Sequence, residues 1–245
     1  MIHRPLAAFA FALVSLQLAT DASALEFPSL LDGSNPFSEI SDSSNAPEHA
    51  GLLGKMYLEA RYVHLQTDEP IIQPFDDTYQ GVDATFNMPV SWLAELAPSV
   101  GTDVFFNFQH LHIGGKLGLS KLEMNVDSYS AGVSFYASAF GPIRPYVQLG
   151  VQHDVINAFA SGGGGSGTFS DDDTNLLAIV GLEADVVENA SIRLAIDLNE
   201  QAFNASPVTA DVIFWPVEQF YVRAGLFATT DGNEVGGLFG GGIVF

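Results

Sequence analysis

The chain has 245 residues, no cysteine, 47% hydrophobic and 15% charged residues, and a formal net charge of −21. The missing cysteines exclude a disulfide framework, a cysteine-ligated metal and a lipid-modified N-terminal cysteine. The acidic balance argues against nucleic acid and against a basic patch on anionic lipid as partners.

Charged residues fall well below the roughly one quarter usual in soluble domains. Yet beyond the N-terminus no apolar run approaches the ~20 residues of a spanning helix. Alternating membrane strands produce that combination. Residues 1–24 read as a secretory signal peptide: His3 and Arg4 as the n-region, Leu6 to Leu18 as the apolar h-region, and Ala22-Ser23-Ala24 as the cleavage site. Residues 25–54, rich in Ser, Pro, Gly, Asn and Asp, show no steady period and read as a poorly ordered periplasmic linker. A sharper alternative is that this stretch plugs a barrel.

From Lys55 to Phe245 strand and turn alternate, and ten strands are predicted: 55–65, 79–90, 102–113, 122–136, 144–155, 174–186, 191–199, 207–215, 220–227 and 235–245. Most are near the ~9–11 residues that a tilted membrane strand needs. Each carries an apolar set on one face and a polar set on the other. Val82, Ala84, Phe86 and Met88 oppose Gly81, Asp83, Thr85 and Asn87; Val147, Leu149 and Val151 oppose Gln148, Gly150 and Gln152. Phe105 breaks the pattern of its strand. The apolar set contains no Asp, Glu, Lys or Arg, as expected where an arginine or lysine facing lipid near the midplane costs about 2–4 kcal/mol. A soluble barrel would reverse the two faces, and alternation alone does not say which one is outside.

The last stretch, VGGLFGGGIVF, is an uncharged strand with Phe239, Ile243 and Phe245 on one side. An open apolar edge recruits other chains, so this strand makes sense if it closes a barrel against the first. Residues 137–143, 187–190 and 216–219 are short connections, set against longer polar loops such as 66–78 and 156–173. That asymmetry is the pattern of transmembrane barrels. Residues 91–101 depart from it, with Trp92, Leu93 and Leu96 in position for a one-turn interfacial helix. Gly114-Gly115 sits where a hairpin rises above the membrane, so eight or twelve strands remain alternatives. Tyr62, Tyr79, Tyr146, Trp215, Phe220 and Phe245 are expected in interfacial aromatic girdles.

With its terminal aromatic residue the chain resembles bacterial outer-membrane β-barrel proteins. The segment FGPIRPYVQLGV resembles the hairpin of small OmpA-like and opacity-type barrels. The resemblance implies an all-β, transmembrane antiparallel up-and-down barrel of about ten strands in the outer membrane. It also implies membrane lipid as surroundings and engagement of the barrel-assembly machinery through the C-terminal strand.

The polar face carries Glu59, Asp83, Asp103, Glu183, Asp185, Asp197 and Asp211 against Arg61, Arg193 and Arg223, seven acids to three bases. In a narrow barrel such groups form ion-pair networks, since an unpaired buried charge is costly; the acidic surplus leaves a cation-leaning pore open. His110 and His112, two apart on one face, are candidates for part of a metal site. His64 and His153 are also expected near the extracellular strand ends. No His has an Asp two residues before it, and neither His-Ser nor His-x-Ser occurs, so the pairs used by barrel proteases, phospholipases and deacylases are missing. Asp76-Asp77 is adjacent rather than arrayed. Asp171-Asp172-Asp173 reads as a solvated acidic loop open to divalent cations, and Asp231-Gly232-Asn233 as a tight turn. The expectation is a non-enzymatic structural or surface-exposed barrel with acidic outer loops and no cofactor. A small cation-leaning pore is the alternative, and a hydrolase the weaker third.

Overall fold

The computed structural model describes residues 50–67, 78–91, 99–117, 120–137, 141–162, 165–198, 207–230 and 234–245. The signal-peptide reading, residues 25–49, the helix expected at Trp92, the Asp76-Asp77 pair and the turn at Asp231 lie outside these residues.

Ten strands close into one antiparallel barrel, each bonded to its sequence neighbours and β1 to β10. They are β1 (Tyr57–Thr67), β2 (Thr78–Pro89), β3 (Val100–Leu117), β4 (Ser120–Ala137) and β5 (Ile143–Gly162), followed by β6 (Gly165–Val187), β7 (Ala190–Asp197), β8 (Pro207–Val217), β9 (Phe220–Thr229) and β10 (Glu234–Val244). The chain is all-β, with no helix among the described residues. Closure removes the open edge that VGGLFGGGIVF would otherwise present. Tyr62 stands opposite Phe239 and Leu58 opposite Ile243, and Phe245 adds a last amide bond to Met56 at 3.1 Å.

Both ends of the barrel wall lie on one rim, here called the proximal rim. Its described turns are tight. Ala190 pairs with Val187 and Phe220 with Val217, each beside a register shift. Gly141, at φ 66°, takes the left-handed conformation in the turn before Ile143. On the distal side β3 to β6 run 18 to 23 residues, well past membrane length, whereas β1, β2 and β8 to β10 have 10 to 12. The expected loop at 156–173 is in fact mostly strand. Its Gly, Ser and Asp residues pair from Ile156–Asp171 up to Gly162–Gly165. Backbone pairing overrides weak strand propensity there. With β3 and β4 this hairpin forms a continuous four-stranded extension of the wall.

The two faces of the wall differ in exposure. The apolar set looks outward and is bare: Phe106 is 52% exposed, Leu149 50%, Leu226 71% and Phe239 60%. The charged set looks inward and is buried, Glu59 at 1% and Glu183 at 0%. Where that outer face ends, the register lines up His64, Gln80, His112, Asn125, Asn157 and Ser170 across six adjacent strands. This unbroken polar row marks the distal limit of the apolar belt.

Candidate functional site

The interior is stacked in three layers. The proximal layer is a surprise relative to the linker expected at 25–54, because its last residues turn into the barrel mouth. Leu52 and Leu53 are buried to 0% and 2% exposure, and Ala50 and Leu52 build an apolar floor with Tyr57, Ile213, Trp215 and Tyr221. Backbone donors in this segment are spent on wall carboxylates. Leu52 donates to Glu183 Oε2 at 3.0 Å, Leu53 to Oε1 at 3.3 Å, and Gly54 to Asp103 Oδ2 at 3.0 Å. Ala50 offers its carbonyl to the Trp215 indole N–H and to Ser191 Oγ. The Lys55 ammonium lies 4.2 Å over the Trp215 ring, and the Lys55 carbonyl accepts from Asn87 at 2.9 Å. Gly54 turns at φ 78°, and a Cβ there would sit 2.7 Å from Tyr136 Oη.

The middle layer is a charged belt. Glu59 accepts from Arg223 at 3.0 Å, from Tyr221 at 2.8 Å and from Arg61 at 2.9 Å. Arg223 also reaches Asp211 at 2.6 Å, and Arg61 reaches Asp83 at 2.9 Å. Asn107 adds a bond to Asp83 at 3.1 Å. Toward the floor Arg144 binds Glu183 at 3.4 Å and Asp185 at 2.5 Å. All ten predicted luminal charges therefore sit on the inner face. The surplus of acids is smaller than the sequence suggested, because Arg144 is a further base, and backbone amides donate hydrogen bonds to Glu183 and Asp103. Arg144 was legible in principle: it shares strand parity with Tyr146 and Gln148, but it lay at a strand start beside a proline.

The distal layer is apolar. Val63, Leu65, Tyr79, Leu111 and Leu238 pack together inside the wall, with Phe227, Met124 and Val126 against them. The lumen is thus not polar throughout. Between this layer and the belt lies a chamber of about 270 Å³, walled by residues of both. Three expected girdle aromatics belong to the interior instead. Tyr79, Tyr146 and Trp215 are 6%, 3% and 8% exposed. Their strand parity is inward, and inner-face glycines make room: a Cβ on Gly181 would lie 2.2 Å from Tyr146 Cζ. Small residues opposite large ones fill a narrow barrel.

The histidines stand on the outer face near the distal limit. His110 pairs with Asp127 across the β3–β4 ladder, His112 with Asn125 at 2.8 Å, and His153 with Thr174 at 2.9 Å. Each is engaged by its cross-strand neighbour. Among the described residues no group of three or more His, Cys, Asp or Glu converges as a metal site. Asp171, Asp172 and Asp173 stand exposed on the β6 extension.

No protein-family profile and no curated protein matches the chain. Among solved structures it is similar to Ail, the attachment invasion locus protein of Yersinia pestis, at 15% identity and TM-score 0.40, covering 78% of this chain and 99% of that one. The N-terminal β-barrel domain of Pseudomonas aeruginosa OprF is 13% identical at TM-score 0.33, over 78% and 98% of the two chains. Outer membrane phospholipase A of Escherichia coli is 8% identical at TM-score 0.41, over 76% and 89%. These solved structures are bacterial outer-membrane β-barrels; the likeness is one of fold and says nothing of activity or ligand.

Proposed function

We propose that the chain is an exported, non-enzymatic outer-membrane barrel, closed to ions at its periplasmic mouth, whose β3–β4 and β5–β6 hairpins stand above the outer surface. The observation that carries this reading is the seat of residues 50–55. A segment with two buried leucines, six backbone bonds to the wall and a cation on Trp215 fills the proximal mouth. The bare apolar outer wall supports the membrane as its surroundings. The short proximal turns, the two ends of the barrel wall on the same rim and the signal sequence support a periplasmic assignment for that rim. The charged belt is then architecture: ion pairs that fix register inside a narrow wall.

Planar-bilayer recording on the refolded mature protein tests this. No conductance steps are expected. Regular cation-selective steps in the unaltered protein would overturn the reading in favour of a small pore lined by Asp83 and Asp197.

A further inference from the structure

Arg193 occupies an unusual place in the charged belt. On β7 it stands in register with Glu183 of β6 and with Asp211 of β8, a carboxylate on either side. Both acids have other partners: Glu183 serves the Leu52 and Leu53 amides and Arg144, while Asp211 gives Oδ2 to Arg223 and leaves its buried Oδ1 without a hydrogen bond. Arg193 itself is 6% exposed, donates Nε–H to the Tyr146 hydroxyl at 2.8 Å and stacks its guanidinium 4.4 Å over that ring. Among the described residues it makes no ion pair, while Arg61, Arg144 and Arg223 all do.

A guanidinium has five N–H donors in a planar fork. The structure spends one on Tyr146 and turns the remaining edge to the chamber, whose wall includes Arg193. The fork matches a carboxylate two bonds at a time. Beyond it the wall turns apolar at Val63, Leu65, Leu111, Phe227 and Leu238. Thr85, Gln109, Ser128, Ser130, Gln148 and Gln152 add neutral polar groups to the same wall. A volume of about 270 Å³ falls just below the ~300 Å³ at which pockets for drug-sized ligands start, so only a slender ligand fits. Asp83, also on the wall, is held by Arg61 and Asn107, and Asp197 has interactions of its own.

We propose that the chamber between the charged belt and the distal apolar layer binds a single-chain amphiphile, its carboxylate on Arg193 and its chain against Val63, Leu65, Leu111, Phe227 and Leu238. The binding face is built: fork, aromatic support and apolar wall are all in place before any ligand arrives.

The test is calorimetric titration of the refolded mature protein in nanodiscs, with empty nanodiscs as the partition control. Sodium decanoate is the probe, against decyltrimethylammonium, which keeps the chain and reverses the head, and acetate, which keeps the head alone. A saturable one-to-one component is expected for decanoate only. Arg193→Met should weaken it at least tenfold and Arg193→Lys less. Ala195→Phe, which fills the chamber and leaves every ion pair intact, should abolish it. Circular dichroism of each variant verifies the barrel. Decanoate binding unchanged in Arg193→Met or in Ala195→Phe, equal binding of decyltrimethylammonium, or no saturable decanoate component in the unaltered protein overturns the proposal. Conductance does not enter this readout, so failure of the seal and failure of the site are separately visible.

Discussion

Glu183 and Leu52 meet at 3.0 Å across 131 residues of sequence, the carboxylate of β6 accepting the amide of a segment that precedes the first strand. The same carboxylate takes the Leu53 amide and one nitrogen of Arg144. One side chain therefore joins the barrel wall, an arginine and the seal. Hydrogen bonds to a charged acceptor contribute about 1.5–3 kcal/mol each. Glu183→Gln should loosen the segment without opening the β ladder. Lys55 then leaves Trp215, and trypsin should cut after Lys55 at least tenfold faster in the folded variant than in the unaltered barrel. Equal rates would show that Glu183 does not hold the segment.

Glu59 is the hub of the belt, with Arg223, Arg61 and Tyr221 all on its two oxygens. Removing one partner of a buried pair leaves uncompensated charge and costs about 3–5 kcal/mol. Glu59→Gln should lower unfolding stability in urea by about that much. A second change, Arg223→Met, should recover part of the loss, because the orphaned cation goes with it. A double variant less stable than Glu59→Gln alone argues against pairing as the source of the effect.

Gly181 and Tyr146 are opposite each other on β6 and β5. The aromatic ring occupies the space that a Cβ of residue 181 would need, 2.2 Å from Cζ. Overpacking of this kind costs about 1–3 kcal/mol. Gly181→Val should lower the thermal midpoint, and Tyr146→Ala in the same chain should relieve the clash, giving a favourable coupling energy. Additive losses would mean the ring and the glycine are independent.

The outer face distinguishes lipid from water by position. Leu149 is 50% exposed within the apolar belt, whereas His153, four residues further along β5, bonds the exposed Thr174 near the distal limit. Leu149→Arg should cost about 2–4 kcal/mol in a bilayer and His153→Arg about 0–1. Reversible unfolding in phosphatidylcholine vesicles measures both. Equal costs would place these two positions in the same medium.

The strands and their two faces were legible because they depend on a local signal, a period of two, that side chains report one strand at a time. Asp83, Glu183 and Arg223 fell on the inner face for that reason, as did Phe105 despite its chemistry. Which face meets the outside is not in the alternation, which is symmetric between the two; the low charge, the terminal Phe245 and the signal peptide supplied it. Two things were not legible. The pairing of Arg193 depends on which competitors claim Glu183 and Asp211, and those competitors, Leu52 and Arg223, are far away in sequence. The seal depends on backbone amides in residues 50–54, and amides carry no sequence signature. The polar row from His64 to Ser170 likewise exists only once six strands are in register. The sequence by itself determined a barrel with a greasy side and a charged side. Only the tertiary structure decided how that charge is shared, because burial makes each carboxylate serve the nearest donors, and nearness is set by closure of the wall rather than by order along the chain.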